Sequence, residues 1–424
     1  MKPIKKQLKI PGDKSISHRA LILAAIANGV TEIRNISKSR DVLSTITCLK
    51  NLGIFIKIKK STAFVFGNGL HGLRKSNRYL DCENSGTTMR LLMGLLCSQS
   101  FTSILVGDES LSKRPMWRAA EPLVKMGARI SLHKNNFAPI VINPTKLHAI
   151  NFSLKIASAQ IKSAIILSGL FCSEITTLSG LIETRDHTER LLKLFNSNIG
   201  IVKNSTILIK GNQKLNSCVI NIPGDPSSAA FFIIAACLVP NAKIKLNKIL
   251  LNQTRIGFIN ILKRMGANIN IETKSIENCE PLGTVTVSYS ILHAIQIYDH
   301  EISNIIDEIP ILSIAFTQAI GINAIKNAQE LRTKECDRLN AISHNLKKMG
   351  VDIKVMHDGF KIKGPQKLSG TQIETFGDHR IAMAFKIAGL IAVSEIKIDN
   401  EKCIEISDRN FNKNFEIFKT NYIG

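Results

Sequence analysis

Aromatic residues are scarce in this chain of 424 residues, which has one tryptophan, four tyrosines and 5% aromatic residues in all. Proteins that bind single-stranded nucleic acid stack bases on such side chains, so the shortage argues against that function. Acidic residues are also a minority, 33 against 56 lysines and arginines, and the formal net charge is +23. The lysines are scattered along the chain, which indicates a general bias of composition. We expect no nucleic-acid partner, although the charge also suits small anionic substrates.

Long apolar runs and paired cysteines are missing as well. The longest apolar run, residues 229–239, stops at Pro240 and is shorter than the ~20 residues that cross a bilayer, so it predicts a buried helix. The nine cysteines form no Cys-x-x-Cys pair and have no histidines at zinc-ligand spacing. We therefore expect reduced thiols and no structural metal. Because no signal-like apolar segment opens the chain, we expect a cytoplasmic protein without a membrane partner.

One sequence pattern recurs along the chain: an apolar helix end, then Gly or Asn, then an alternating strand. The Gly or Asn is Gly53, Gly127, Asn196, Gly266 and Gly350, about seventy to eighty residues apart. These residue types accept the left-handed conformation that ends a helix. With a degenerate copy ending near residues 418–422, the pattern predicts six units of helix and strand.

A Pro-Gly-Asp phrase divides those units into two groups of three. It stands at residues 11–13 and 223–225, and each copy precedes a helical pattern. We place two crossings between lobes there. The first lobe is predicted to span residues 12–223, and the second residues 1–11 plus 224–424, with an N-terminal strand in the second lobe. Two lobes also fit a chain longer than one hydrophobic core usually organises.

Polar and basic residues mark many predicted helix starts. Lys or Arg is locally unfavourable at the positive end of a helix, and a bound anion removes that conflict. Repeated cations of this kind in both halves predict two lobes that close on a polyanion. The candidates are Lys14, Ser15, Arg19, Gly86, Arg114, Ser158, Gln160 and Arg185 in the first half, and Asp307, Lys334, Glu335, Arg338 and Arg380 in the second.

Each candidate also has a structural explanation. A serine cap explains Ser15, a turn explains Gly86, and a polar helix start explains Ser158 and Gln160. Residues 184–189 fit a capping box, and Asp307 and Asp378 fit helix caps. Glu335 and Arg338 fit a surface ion pair worth under ~1 kcal/mol. Pro115 suits the first turn of the helix that follows Arg114.

Eight ordered motifs, taken together, strongly resemble those of the 3-phosphoshikimate 1-carboxyvinyltransferase family. The motifs lie at residues 11–19, 84–87, 113–116, 158–160, 185–189, 307–308, 334–338 and 378–380. The resemblance extends over essentially the whole chain. It implies an α/β fold of two similar lobes, each of three βαβαββ units arranged as an inside-out α/β barrel, with the active site in the interlobe cleft.

The resemblance also implies a reaction, transfer of the enolpyruvyl group of phosphoenolpyruvate to the 5-hydroxyl of shikimate 3-phosphate. It assigns Asp307, Glu335 and Lys14 to catalysis. The implied shikimate 3-phosphate set is Lys14, Ser15, Arg19, Ser158, Gln160, Arg185, Asp307 and Lys334. The implied phosphoenolpyruvate set is Lys14, Gly86, Arg114, Arg338 and Arg380, with Arg409 in place of a lysine found in relatives.

No metal or redox cofactor is needed for this chemistry, and we expect a monomer. Cys336 departs from the family pattern, since many relatives carry Thr there. A related transferase acting on a UDP-amino sugar is the nearest alternative, but the loop at residues 107–116 lacks the cysteine usual in that group. A basic RNA-binding protein is the alternative from another class.

Overall fold

The computed structural model describes residues 7–202 and 206–423. The chain forms two compact units: the first is Gly12–Ile222 with Glu277–Glu280, and the second is Met1–Pro11, Pro223–Ile276 and Pro281–Gly424. The predicted boundaries differ from this division at Pro223 and at residues 277–280. The latter group with the first unit because they bind its residues, for example through a hydrogen bond of 2.6 Å from Asn278 Nδ2 to the Asn221 carbonyl.

The first unit contains three successive groups of helices and strands. The first group is α1 (Lys14–Ala25), β1 (Asn28–Arg34), α2 (Arg40–Asn51), β2 (Phe55–Lys59) and β3 (Thr62–Asn68). The second is β4 (Leu80–Asp81), α3 (Gly86–Leu96), β5 (Ser103–Val106), α4 (Glu109–Ser112), α5 (Trp117–Lys125), β6 (Arg129–His133) and β7 (Phe137–Asn143). The third is β8 (Asn151–Leu154), α6 (Ala159–Gly169), β9 (Thr176–Gly180), α7 (His187–Leu194), β10 (Ile199–Val202) and β11 (Thr206–Ile209), followed by β12 (Val219–Asn221).

Each group builds a four-stranded sheet with the same pairing. The strand orders are β12-β1-β3-β2, β4-β5-β7-β6 and β10-β11-β9-β8. In the second and third sheets the two strands that flank the first helix are parallel, in the first sheet β1 is parallel to β12, and the remaining pairs are antiparallel. This is the βαβαββ arrangement expected from the sequence, and in the first group the leading strand is supplied by β12.

The second unit repeats the pattern with smaller sheets. Its helices are α8 (Pro226–Leu238), α9 (Gly257–Arg264), α10 (Ile302–Ile305), α11 (Ile309–Gln318), α12 (Arg338–Lys348), α13 (His379–Ala388) and α14 (Phe411–Tyr422), with 3-10 helices at Asp299–Glu301, Gln329–Thr333 and Glu401–Ile406. Its strands are β13 (Lys243–Leu250), β14 (Asn268–Glu277), β15 (Glu280–Ser288), β16 (Gly321–Ile325), β17 (Ile353–Met356), β18 (Gly359–Gly364), β19 (Gln372–Ile373) and β20 (Lys397–Ile398). They form sheets in the orders β13-β15-β14, β16-β18-β17 and β19-β20.

The predicted N-terminal strand lies partly outside the described residues. Residues 7–11 belong to no strand. Lys9 is nevertheless fixed in the second unit, because its backbone N–H donates to Asn414 Oδ1 over 3.1 Å and its carbonyl accepts from Asn414 Nδ2 over 3.0 Å.

Two kinds of helix alternate along the chain. Helices α1, α3 and α6 in the first unit, and α8, α11 and α13 in the second, are buried along nearly their whole length. Helices α2, α5, α7, α9, α12 and α14 bury one side only. The apolar run at residues 229–239 belongs mostly to α8, which confirms the predicted buried helix. Within residues 7–202 and 206–423, none of the helices has the length and apolar character needed to span a membrane.

The buried helices are apolar along most of their length, and their polar groups lie at or just before the first turn. Side chains of Asp13, Ser85, Ser158, Asp225 and Asp378 each accept a hydrogen bond from a backbone N–H of the turn that follows. Such caps satisfy N–H groups that have no partner within the helix. The motifs at residues 11–19, 84–87, 158–160 and 378–380 therefore stand at capped starts of buried helices.

The recurring Gly or Asn has the backbone conformation that the sequence predicted. The φ angles are 85° at Gly53, 92° at Gly127, 58° at Asn196, 94° at Gly266 and 84° at Gly350. All five residues follow a helix and precede a strand. Left-handed backbone at these positions confirms the physical reason for the repeat.

We expect Gly350→Ala to lower the free energy of unfolding by about 1–2 kcal/mol, because a Cβ strains left-handed backbone. Space is not the cause, since the nearest atom to a Cβ there would be Ser369 Oγ at 3.8 Å. Gly200→Ala is the matched control, because a Cβ at Gly200 meets nothing within 4 Å and its φ is not left-handed. Urea unfolding followed by circular dichroism measures both. Equal stabilities of the two variants would contradict the explanation.

Candidate functional site

Helix α1 places Lys14 and Arg19 at one end of the first unit. Asp13 caps the helix, its Oδ1 accepting from the Ile16 N–H over 2.7 Å, so the alternative in which Ser15 is the cap is wrong. Lys14 Nζ forms an ion pair of 2.7 Å with Asp41 Oδ2. The buried Arg19 donates to the Ser15 carbonyl (3.0 Å), as their spacing of four predicted. Its other donors reach Thr188 Oγ1 at 2.8 Å, Ser163 Oγ at 3.0 Å and the Ala159 carbonyl at 3.5 Å.

Helices α3 and α6 bring Gly86 and Gln160 to the same arginine. Arg90 Nη1 donates to Gln160 Oε1 over 2.7 Å, and Gln160 Nε2 donates to Thr87 Oγ1 over 2.9 Å. A Cβ at Gly86 would lie 2.8 Å from Arg90 Nη1, so the glycine gives the guanidinium its room. Ser158 caps α6, as its structural alternative predicted.

Arg90 is absent from the sequence-based candidates. It lies four residues after Gly86 on α3, the same spacing that links Ser15 to Arg19 on α1. A search for that spacing at each predicted helix start would have found it.

Arg114 lies beside the start of α3. The buried guanidinium donates through Nη2 to Asn84 Oδ1 at 2.8 Å and to Ser110 Oγ at 3.3 Å. Its Nη1 would be 3.5 Å from a Cβ at Gly86, so the structure joins these two predicted residues. The expected first-turn position of Pro115 is wrong, because α5 begins at Trp117 and is preceded by Met116.

The motif at residues 185–189 anchors the start of α7 to several elements. Asp186 pairs with Arg190 (2.8 Å), Thr188 contacts Arg19, and Glu189 forms an ion pair of 2.7 Å with Lys162 on α6. His187 Nδ1 lies 2.6 Å from Glu280 Oε1. Asp186 precedes the helix without a side-chain cap bond, so the predicted capping box does not form. Arg185 stands in the loop immediately before these anchored residues.

In the second unit, Arg338 lies at the centre of a cluster of carboxylates. Its side chain is 1% exposed and contacts Asp378 at 2.7 Å, Glu335 at 2.6 Å and Asp307 at 3.5 Å. Burial acts to lower the pKa of Arg338, but the three carboxylates outweigh it, so the pKa lies above its usual value. The surface-pair alternative for Glu335 and Arg338 is therefore wrong, since the arginine is buried.

Asp307 lies between two arginines. Arg380 Nη1 donates to the Asp307 carbonyl over 2.7 Å, and Arg380 Nη2 is 3.7 Å from Asp307 Oδ2. The residue before α11 is Glu308, which makes no side-chain cap bond, so the cap alternative for Asp307 is wrong. Asp378 does cap α13, as expected, and also holds Arg338.

Lys334 and Cys336 adjoin Glu335 in the chain, and Arg409 lies in a later segment. Lys334 Nζ pairs with Glu330 at 2.6 Å. Cys336 Sγ lies 3.6 Å from Asp378 Oδ2, where a thiol donates as a threonine hydroxyl can. Arg409 is exposed in the turn before α14, outside the described hydrogen-bond network of Arg338 and Arg380.

Arg255 is a second residue that the sequence candidates omit. It is buried, pairs with Asp225 at 3.0 Å and donates to Ser227 Oγ at 3.1 Å. The repeat contains a signal for it, because each of the six one-sided helices has an arginine at its first residue or up to three residues before it. The arginines are Arg40, Arg114, Arg185, Arg255, Arg338 and Arg409.

Solved structures identify the class of fold. An EPSP synthase from Acinetobacter baumannii matches with a TM-score of 0.85 and 37% identity, covering 98% of this chain and 95% of that one. The enolpyruvyl transferase NikO from Streptomyces tendae matches with a TM-score of 0.78 over 97% of this chain and 94% of its own, at 15% identity, and so shows the fold alone. The two units and their motif-bearing helix starts define an enolpyruvyl transferase fold.

Sequence comparisons identify the family. The model of EPSP synthase (3-phosphoshikimate 1-carboxyvinyltransferase) matches residues 1–415. The 3-phosphoshikimate 1-carboxyvinyltransferases of Thermodesulfovibrio yellowstonii and Petrotoga mobilis are each 46% identical, over 413 and 418 residues, covering 97% of this chain and 96% of each relative. The chain belongs to the EPSP synthase family. This confirms the expected reaction, enolpyruvyl transfer from phosphoenolpyruvate to shikimate 3-phosphate in the shikimate pathway.

The buried carboxyl group of Asp408, the residue before Arg409, should make the stability of the fold depend on pH. Burial raises its pKa to about 6, although the Asn410 N–H donates to Oδ1 over 2.8 Å. The folded state therefore binds a proton more readily than the unfolded chain, whose Asp has a pKa near ~3.9. The resulting penalty on the folded state is complete above about pH 6 and disappears as the pH falls toward ~4.

We expect Asp408→Asn to be more stable than the unchanged chain at pH 8, by up to roughly 3 kcal/mol, because it removes this penalty. The advantage shrinks at pH 5, where Asp408 is mostly protonated. Urea midpoints at the two pH values measure the effect, with the exposed Asp352→Asn as control. An advantage that is the same at both pH values would contradict the assignment.

Proposed function

We propose that the residues of both units described above bind phosphoenolpyruvate and shikimate 3-phosphate and carry out the transfer. The observation that supports this most directly is the setting of Asp307, a carboxylate flanked by Arg338 and Arg380 with Glu335 on the same buried arginine. Two proton-transfer groups and two guanidinium groups within one cluster suit a reaction that moves protons among anionic substrates.

Addition is the first proposed step. The 5-hydroxyl of shikimate 3-phosphate attacks C2 of phosphoenolpyruvate and passes its proton to the Asp307 carboxylate. Glu335, in its protonated form, supplies the proton that C3 gains. The product is a tetrahedral phosphoketal, and Lys14 stabilises the negative charge that is close to the reacting atoms.

Elimination completes the transfer. Glu335 takes a proton back from C3 as the C–O bond to phosphate breaks, which restores the enol double bond. The proton held by Asp307 passes to the departing phosphate. The roles of acid and base are therefore exchanged between the two steps, and neither residue is changed at the end.

The remaining residues are proposed to hold the substrates. Arg114, Arg338 and Arg380, with Lys14, Gly86 and more weakly Arg409, form the phosphoenolpyruvate set, because a planar guanidinium fork matches carboxylate and phosphate. The shikimate 3-phosphate set is Lys14, Ser15, Arg19, Ser158, Gln160, Arg185, Asp307 and Lys334. Since Arg19 and Arg114 are already held by hydrogen bonds, little ordering is needed when substrate binds.

We also propose a cytoplasmic monomer without a nucleic-acid or membrane partner. All nine cysteines are free thiols, and six of them are buried, which suits a reducing compartment. Gel filtration with light scattering tests the monomer, and a mass near twice 46.8 kDa would contradict it.

Release of phosphate from phosphoenolpyruvate tests the proposed reaction. We expect release that requires shikimate 3-phosphate, with an enol ether product identified by mass spectrometry. A UDP-amino sugar in place of shikimate 3-phosphate should give no release, because the first-unit motifs suit a phosphorylated hydroxy acid. Release with the sugar nucleotide alone, or with neither acceptor, would overturn the proposal.

We expect Asp307→Asn to reduce turnover by two or more orders of magnitude, since an amide cannot accept the hydroxyl proton. The side chain keeps its shape and the residue's backbone carbonyl still accepts from Arg380, so the melting temperature should change little. Asp299→Asn removes an exposed carboxylate from the same part of the chain and is the control for loss of charge. Near-normal turnover of Asp307→Asn would remove this residue from catalysis.

A further inference from the structure

The turn between β14 and β15 is followed by a buried carboxylate, Glu280, which groups with the first unit. Asn278 and Cys279 form the turn with left-handed φ angles of 51° and 60°. Strand β14 is largely exposed near its end, with Ile276 76% exposed, whereas Glu280, the first residue of β15, is 1% exposed. A buried acid beside the exposed end of β14 requires a partner, because burying a carboxylate is unfavourable unless it is paired.

The partner of Glu280 is the start of α7. Glu280 Oε1 lies 2.6 Å from Nδ1 of the fully buried His187, and Oε2 lies 3.6 Å from Arg190 Nε. The turn is fixed further by a hydrogen bond from Arg190 Nη1 to the Cys279 carbonyl and by the bond from Asn278 to Asn221. Residues 277–280 thus attach to the first turn of α7 through side chains and backbone.

Arg185 lies at the point where these anchors converge. On its N-terminal side, the Lys162 ammonium donates to the carbonyls of Ile182 and Thr184, at 3.0 and 3.2 Å. On its C-terminal side, Asp186 is held by Arg190 and His187 by Glu280. The backbone on both sides of Arg185 is therefore fixed, and Glu280 comes from the most distant part of the sequence.

We propose that Glu280 is a positioning residue, which acts through His187 to hold Arg185 in place for shikimate 3-phosphate. This rests on the proposed role of Arg185. Phosphoenolpyruvate is assigned to other residues. Loss of the Glu280 contact should therefore weaken the binding of shikimate 3-phosphate and leave the binding of phosphoenolpyruvate unchanged. A role in folding alone predicts no such difference between substrates.

Glu280→Gln tests the proposal, since the amide keeps the shape and hydrogen-bonding capacity of the side chain but loses its charge. We expect the KM and the calorimetric Kd for shikimate 3-phosphate to rise roughly tenfold, as for a lost charged hydrogen bond, with kcat and the KM for phosphoenolpyruvate within about twofold. Glu272→Gln removes an exposed carboxylate from the same hairpin and should change none of these values.

The double variant Glu280→Gln/His187→Asn shows whether Glu280 acts through His187. The asparagine amide approximates the Nδ1 position, and the two changes should be non-additive if they break one contact. Unchanged binding of shikimate 3-phosphate by Glu280→Gln would overturn the proposal, as would equal increases in both KM values with a lowered melting temperature. If Glu280→Gln does not fold, Glu280→Asp keeps the charge on a shorter side chain. Glu280→Asp should then show a smaller increase in the KM for shikimate 3-phosphate and no increase in the KM for phosphoenolpyruvate. An unchanged KM for shikimate 3-phosphate would overturn the proposal.

Turnover of the unchanged chain distinguishes failure of the positioning proposal from failure of the proposed reaction. No phosphate release with shikimate 3-phosphate would reject the proposed function before any variant is compared. Normal turnover with Glu280→Gln indistinguishable from the unchanged chain would reject only the positioning role.

Discussion

A buried guanidinium group that needs negative partners organises the second unit. Arg338 is almost completely enclosed, and an unpaired charge in such a place would cost several kcal/mol. Asp307, Glu335 and Asp378 come from three different segments and meet on this one side chain. The arginine therefore determines where the two proposed proton-transfer carboxylates stand, in addition to its proposed role in binding phosphoenolpyruvate.

In the first unit Lys14 and Lys162 pair with carboxylates, but two arginines donate to neutral oxygens. Arg19 donates to hydroxyl and carbonyl oxygens, and Arg114 donates to an amide and a hydroxyl oxygen. Neutral acceptors orient a guanidinium without cancelling its charge, whereas carboxylates do both. In the proposed mechanism this difference suits the tasks of the two units, since Arg19 and Arg114 hold anionic groups and the Arg338 cluster moves protons.

Local sequence was a sound guide to local structure. The recurring Gly or Asn predicted the ends of helices because left-handed backbone is a property of a residue and its neighbours, and Asp378 caps a helix as its local sequence predicted. Pro115 was misplaced by a short distance, since a proline that suits a first turn also suits the loop before it. Function followed from the family resemblance of ordered motifs, which no single helix start would have supported.

Long-range partners could not be predicted in this way. Nothing near Glu280 in the sequence indicates that it meets His187, 93 residues away, and the alternation of β15 alone would allow it to face solvent. Glu335 and Arg338 looked like a surface pair because spacing reveals that two side chains are close but not whether water reaches them. Burial is a property of the assembled unit.

The six arginines beside the one-sided helices show how far a repeat constrains function. At equivalent positions Arg338 contacts three carboxylates, Arg255 contacts an aspartate and a serine, Arg114 contacts an asparagine and a serine, and Arg409 lies in an exposed turn. The repeat fixes where a cation enters the structure, because helix starts recur with the fold. The surrounding side chains then determine whether that cation stabilises the fold, orients a carboxylate or remains accessible to an anion. Those side chains differ between copies of the repeat.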